Sequence, residues 1–160
     1  MPALLPLASA GAPAQSATLT VVISASSIKP ITLSATQNLD LGTIVLGTGQ
    51  WSGTVVGISQ AGVVSCGSSN VVCVGSSQVA KYRITGSGRE TITINAPDVI
   101  LVNQADPSKT LTLVLDSPGT VVLGNSGNKG EEFALGGSIQ VSSTTTGGLY
   151  IGTFNVTADY

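Results

Sequence analysis

Histidine is absent from this 160-residue chain, and only six Lys or Arg and eight Asp or Glu residues carry charge. Without an imidazole the Ser-His and Cys-His nucleophile pairs cannot be built, and although Ser26–Lys29 and Ser126–Lys129 have Ser-x-x-Lys spacing, no Ser-Asp-Asn or Lys-Thr-Gly accompanies them to make a lysine-base site. The cations Lys29, Lys81, Arg83, Arg89, Lys109 and Lys129 are scattered and the net charge is −2, so no basic stripe awaits a nucleic-acid backbone. No run of about 18 apolar residues occurs, which excludes a membrane-spanning helix. Two Phe, one Trp and three Tyr are too few for the paired girdles of a transmembrane barrel.

The carboxylates Asp40, Glu90, Asp98, Asp106, Asp116, Glu131, Glu132 and Asp159 fall mostly in turns or at strand ends, where they serve solubility. Glu131 and Glu132 are adjacent and would point to opposite faces of a strand, which makes a poor catalytic dyad. No Asp-x-Asp-x-Asp-Gly loop is present for calcium, and two cysteines without histidine cannot complete a zinc site. No catalytic residue, metal or cofactor is expected, and the chain is not expected to be an enzyme.

What is present is a chain rich in Gly, Ser, Thr and Val, of a length suited to one domain. Period-two apolar patterns recur throughout, while no segment holds a 3.6-residue period for three turns. Strands are predicted over Ala17–Ala25, Ile31–Leu33, Leu39–Leu46, Gly53–Ser59, Gln78–Thr85, Glu90–Asn95, Thr110–Asp116, Gly137–Ser142 and Tyr150–Tyr160. Nine strands at this spacing predict an all-β sandwich of two sheets. Gly86-Ser87-Gly88 reads as a hairpin loop, and Pro107 and Pro118 sit in turn sequences. Gly124–Gly130 is glycine-rich but lacks the Gly-Lys-Ser/Thr of a phosphate loop.

Cys66 and Cys73 are separated by a turn-forming stretch that includes Gly67-Ser68-Ser69-Asn70, and an even count in an exported protein predicts a disulfide clamping a hairpin. The opening residues, MPALLPLASAGAPAQSA, resemble the end of a secretory signal, with small-residue sites at Ala8-Ser9-Ala10 and Ala12-Pro13-Ala14. Cleavage after Ala14 would leave Gln15 first; the alternative is an Ala/Pro/Gly tail. Trp51 follows Gly47-Thr48-Gly49-Gln50 and is expected to pack over one end of the sandwich rather than to offer a sugar platform. Asn155-Val156-Thr157 fits a glycosylation sequon by coincidence, since Asn155 and Thr157 are the polar alternates of Phe154 and Val156.

Two strands stand out by their placement. In the first, Ala17, Leu19, Val21, Ile23 and Ala25 occupy every second position directly after the processing site. The last alternates from Tyr150 to Tyr160 and is expected to be central to the fold.

The segments Pro30-Ile31-Thr32-Leu33, Leu39-Asp40-Leu41-Gly42-Thr43-Ile44, Tyr82-Arg83-Ile84-Thr85-Gly86, Leu135-Gly136-Gly137-Ser138-Ile139-Gln140-Val141 and Gly148–Tyr160 resemble, in order and spacing, the bacterial family catalogued as domain of unknown function 4402. Leu41 stands where that family usually has Phe before Gly, and the cysteine pair is not one of its hallmarks. The family is similar to the spore-coat-U-like pilins of archaic chaperone-usher systems. That resemblance implies an immunoglobulin-like β-sandwich lacking one strand, which a neighbour supplies from an N-terminal extension.

The implied organisation is a signal remnant or tail at 1–14, a donor extension at 15–27 and a sandwich at 28–160. Ala17, Leu19, Val21, Ile23 and Ala25 would form the donor strand of an extracellular, cell-surface filament. Its partners would be copies of itself, a periplasmic chaperone and an outer-membrane usher. Two other readings of the residues stay open: Ala17–Ala25 as the first strand of a self-complete sandwich, and the chain as a monomeric surface-binding or adhesin module using Trp51, Tyr82 or loop Asn and Asp residues.

Overall fold

The computed structural model describes residues 24–160, and these are all-β, without a helix. Thirteen strands run in the order β1 (Thr32–Gln37), β2 (Thr43–Leu46), β3 (Thr54–Ile58), β4 (Val64–Ser65), β5 (Val71–Val74), β6 (Ala80–Thr85), β7 (Thr91–Asn95), β8 (Val99–Asn103), β9 (Thr110–Asp116), β10 (Thr120–Val122), β11 (Glu131–Val141), β12 (Tyr150–Ile151) and β13 (Thr157–Asp159). The largest sheet has the order β1-β6-β11-β9-β8-β12, with β3 also on β11 and β4 on β3. A three-stranded sheet, β10-β7-β13, and a two-stranded one, β2-β5, complete a curled β-sandwich.

Strand β11 organises the large sheet. Its odd positions Phe133, Leu135, Ile139 and Val141 are buried while Glu132 and Gln140 are exposed, as period-two alternation requires. Its first half pairs with β6 and its second half with β3 and β9, the partners changing at Gly136-Gly137. A methyl group on Gly136 would strike the Ile58 carbonyl, so close backbone approach dictates glycine there. Gly137 leaves its place on the inner face to the Leu39 and Leu113 side chains.

Two core clusters follow from this division. In one, Ala80, Ile84, Phe133 and Leu135 meet Ile92, Ile94 and Leu123 from the side of the β10-β7-β13 sheet. In the other, Val56, Val99, Leu113, Ile139 and Val141 meet Val71, with Ile44, Leu46 and Cys73 of the β2-β5 pair packed against them. Each fully buried aliphatic side chain, such as Ile84, Ile92 or Leu135, stabilises the fold by roughly 1.5 to 3 kcal/mol. Leu39 and Phe154 pack against both clusters and so lie at the seam between them.

The β1-β6 and β2-β5 pairs form one antiparallel ribbon bent in the middle. From Thr32↔Thr85 through the Asp40↔Gln78 bridge to Leu46↔Val71, the register is kept to within one residue. Gly42 (φ 74°) and Gly75 (φ 81°) adopt left-handed backbone at the bend, where other side chains would be strained. The ribbon thereby passes from the large sheet into the opposite layer.

Three sequence expectations are corrected here. Eight of the nine predicted strands fall among the described residues, where thirteen strands form three sheets; Ala17–Ala25 lies outside them except for its last two residues. Gly86-Ser87-Gly88 is not a hairpin loop, because β6 pairs with β1 and β11 whereas β7 pairs with β10 and β13. Tyr150–Tyr160 is not one strand: β12 pairs with β8, β13 pairs with β7, and the chain between them crosses from one sheet to the other.

The Cys66–Cys73 disulfide is present, with the two Cα atoms 6.0 Å apart. It does not clamp a hairpin. Cys66 follows β4, which pairs with β3, and Cys73 lies in β5, which pairs with β2, so the bond ties one sheet to the other. Replacing both cysteines with Ser is expected to cost about 2 to 3 kcal/mol, the chain-entropy value for so short a loop, without loss of fold. Urea unfolding monitored by circular dichroism would measure it, and an unchanged midpoint would remove the clamp from the account.

Candidate assembly edge

Of the predicted donor residues, Ala17, Leu19, Val21 and Ile23 lie outside the described residues, while Ala25 is exposed and outside any strand. The groups that a donated strand would meet are described. Strand β13 pairs with β7 along one edge, and among the described residues no strand stands on its other edge. The same holds for the edge of β2 away from β5. Gly152–Val156, leading into β13, has no strand partner among the described residues, although Phe154 and Val156 are half-buried against the core. A free edge beside half-buried apolar side chains leaves main-chain donors and acceptors available for another strand.

Leu39 and Phe154 were not singled out from the sequence, yet both lie where the two clusters meet, and Phe154 is on the unpartnered stretch itself. Phe154 was legible as the apolar member of an alternating run. Leu39 was legible only in combination with the bend that follows it.

The aromatic candidates for a binding surface pack against the two core clusters. Trp51 packs against the second cluster, as expected for a Trp at the end of a sandwich, and its indole N–H donates to the Gly47 carbonyl at 3.2 Å. Tyr82 belongs to the first cluster, stacked on Phe133 with ring centroids 5.4 Å apart, and burial pushes its phenol above the usual range.

Several carboxylates organise turns. Asp40 accepts from the Gly42 amide at 2.8 Å, and Asp116 accepts from the Gln60 amide and side chain at 3.1 and 2.8 Å. The Ser108 hydroxyl and amide hold the Asp106 carboxyl below its ordinary value. Among the described residues no three His, Cys, Asp or Glu side chains gather as metal ligands would. Asn155 and Thr157 are exposed beside half-buried Phe154 and Val156, in keeping with their reading as polar alternates.

One polar side chain, Asn103, is fully buried among the described residues. Its Oδ1 accepts from the amides of Ala105 and Asp106 at 2.9 and 3.2 Å, and its Nδ2 donates to the Gly147 carbonyl at 3.1 Å. It thus joins the β8–β9 turn to the chain entering β12. Asn103→Ala removes three side-chain hydrogen bonds and empties a fully buried position, and is expected to cost roughly 1 to 3 kcal/mol. A denaturant midpoint equal to that of the wild type would contradict this role.

Fold and site together define a disulfide-linked β-sandwich whose candidate site is a strand edge. The chain belongs to the family described as Domain of unknown function (DUF4402), which matches residues 31–160. The match takes in all thirteen strands and leaves out 15–27. Comparisons with curated proteins and with solved structures find no match.

Proposed function

We propose that this protein is a structural subunit of an extracellular, pilus-like filament, in which residues 15–27 of one copy complete the sandwich of the next. The observation that carries the reading is the edge running through Gly152–Val156 into β13, which has no strand partner among the described residues and lies beside half-buried Phe154 and Val156. A segment alternating as Leu19, Val21 and Ile23 would present one apolar face to the seam and its main chain to the edge. Burying three such side chains would contribute roughly 1.5 to 3 kcal/mol each. That exceeds the cost of ordering the segment only when its backbone also pairs.

Chain direction also favours a neighbour as donor. Lys29 is held beside Tyr160, just beyond the end of β13. A subunit folding its own 15–27 back along β13 would therefore lay it parallel to that strand. A neighbour's segment can run antiparallel, the slightly more stable pairing. An uncovered edge invites aggregation, so a periplasmic chaperone and an outer-membrane usher fit as assembly partners. The disulfide fits passage through an oxidising compartment. Negative-stain microscopy of native cell-surface material, or of protein expressed with its export partners, is expected to show filaments. Uniformly monomeric particles would overturn the reading.

A further inference from the structure

Lys29, through which the chain leads back to 15–27, is held against the body of the subunit by three polar contacts. Its amide donates to Ser87 Oγ at 2.6 Å, its ammonium donates to Asn128 Oδ1 at 2.9 Å, and its carbonyl accepts from the Tyr160 hydroxyl. The Tyr160 oxygen in turn accepts from the Ser87 amide at 2.8 Å. Both loops involved are fixed to one another. The Arg89 amide donates to the carbonyls of Leu123 and Gly124 at 3.1 and 3.2 Å, and Gly86 and Gly127 are buried where the loops meet. A methyl group on Gly127 would strike the Gly86 carbonyl, so the loops interlock without slack. Residues 24–28, immediately before Lys29, are exposed and outside any strand.

We propose that the Tyr160 hydroxyl is a latch that fixes the direction in which the N-terminal extension leaves the subunit, and thereby sets the stiffness of the filament. The inference rests on the donor-strand reading: in a filament of that kind the residues before Lys29 are the joint between one body and the next. With Lys29 pinned, bending is confined to the short exposed stretch 24–28. With the latch removed, Lys29 keeps its amide and ammonium contacts to Ser87 and Asn128 but its carbonyl loses its fixed partner, and the joint softens at Lys29. Tyr160 is a positioning residue here, touching the strap and not the seated donor.

Tyr160→Phe keeps the ring and removes only the hydroxyl, and Tyr150→Phe, whose hydroxyl bonds the Thr146 carbonyl in the β12 region, is the control. In the isolated subunit, Tyr160→Phe is expected to speed amide exchange at Ser87 by about tenfold, as befits loss of one local hydrogen bond. In filaments the same change is expected to lower the bending persistence length by about half or more, while subunit spacing and Tyr150→Phe filaments stay as in the wild type. Unchanged exchange at Ser87 would overturn the latch. Faster exchange with equally stiff filaments would overturn its role in stiffness. Failure of wild-type protein to form filaments would instead overturn the donor-strand reading and the stiffness claim with it, and the exchange measurement would still decide whether Tyr160 pins the exit.

Discussion

Subunits carrying Ile23→Asp are expected to fold and to be exported, yet to form no filaments. Alternation places Leu19, Val21 and Ile23 on one face of the 17–25 segment and Thr20 on the other. A carboxylate on the apolar face would have to enter the seam where Leu39 and Phe154 lie, at a cost of several kcal/mol or by taking up a proton. Under donation that penalty falls on the complex between two subunits and not on the isolated sandwich, whose thirteen strands among the described residues lie wholly outside the segment. Val21→Asp should behave alike, whereas Thr20→Asp should assemble normally. Filament yield by negative-stain microscopy and subunit stability by thermal melting separate the two effects. If Ile23→Asp lowered the melting temperature of a monomer while wild-type protein stayed monomeric, the segment would be part of its own sheet and donation would be wrong.

The fold class was legible because period two is a strong signal where one face of a strand is wet. β9 was bounded correctly at Thr110–Asp116, and β3, β6 and β7 to within two residues, since each alternates. β5 and β8 escaped notice for the opposite reason: Val71-Val72-Cys73-Val74 and Val99-Ile100-Leu101-Val102 are apolar throughout. In β5 the outward-facing Val72 and Val74 are exposed, and valine at those positions erases the alternation that burial alone would produce. Pairing was the least legible layer. Nothing local in Gly86-Ser87-Gly88 distinguishes a turn between partners from a crossing between sheets, because the decision rests on where β1, β10, β11 and β13 lie. On the donor side the proposed assembly rests on the sequence pattern alone, a run of alternate apolar residues outside the described residues. On the acceptor side it depends on the bent ribbon, whose bend is readable only once Gly42 and Gly75 are seen opposite one another across the register.

Removing Phe154–Tyr160 is expected to abolish cooperative folding, although only three of those residues, Thr157–Asp159, form a strand. The deletion takes away β13, and the β10-β7-β13 sheet falls to two strands, which in isolation are marginal in water. It strips Phe154, Val156 and Ala158 from the first cluster, uncovering the side on which Ile94 pairs with Ala158. Phe154 also packs against the second cluster, so its loss loosens both halves of the sandwich at the seam. Finally it removes the Tyr160 hydroxyl that joins Lys29 to Ser87. Phe154→Ala alone is expected to cost about 2 kcal/mol, less than the roughly 3 to 5 kcal/mol of a fully buried Phe because the ring is only half-buried. The comparison of the two variants is informative: a graded loss in Phe154→Ala with collapse in the deletion would assign the effect to the sheet and not to one side chain. Thermal melting followed by far-ultraviolet circular dichroism measures both. A truncated protein that kept a cooperative melt and the native β signal would show that β13 is dispensable, and the edge it presents could not then be the site at which a neighbour completes the fold.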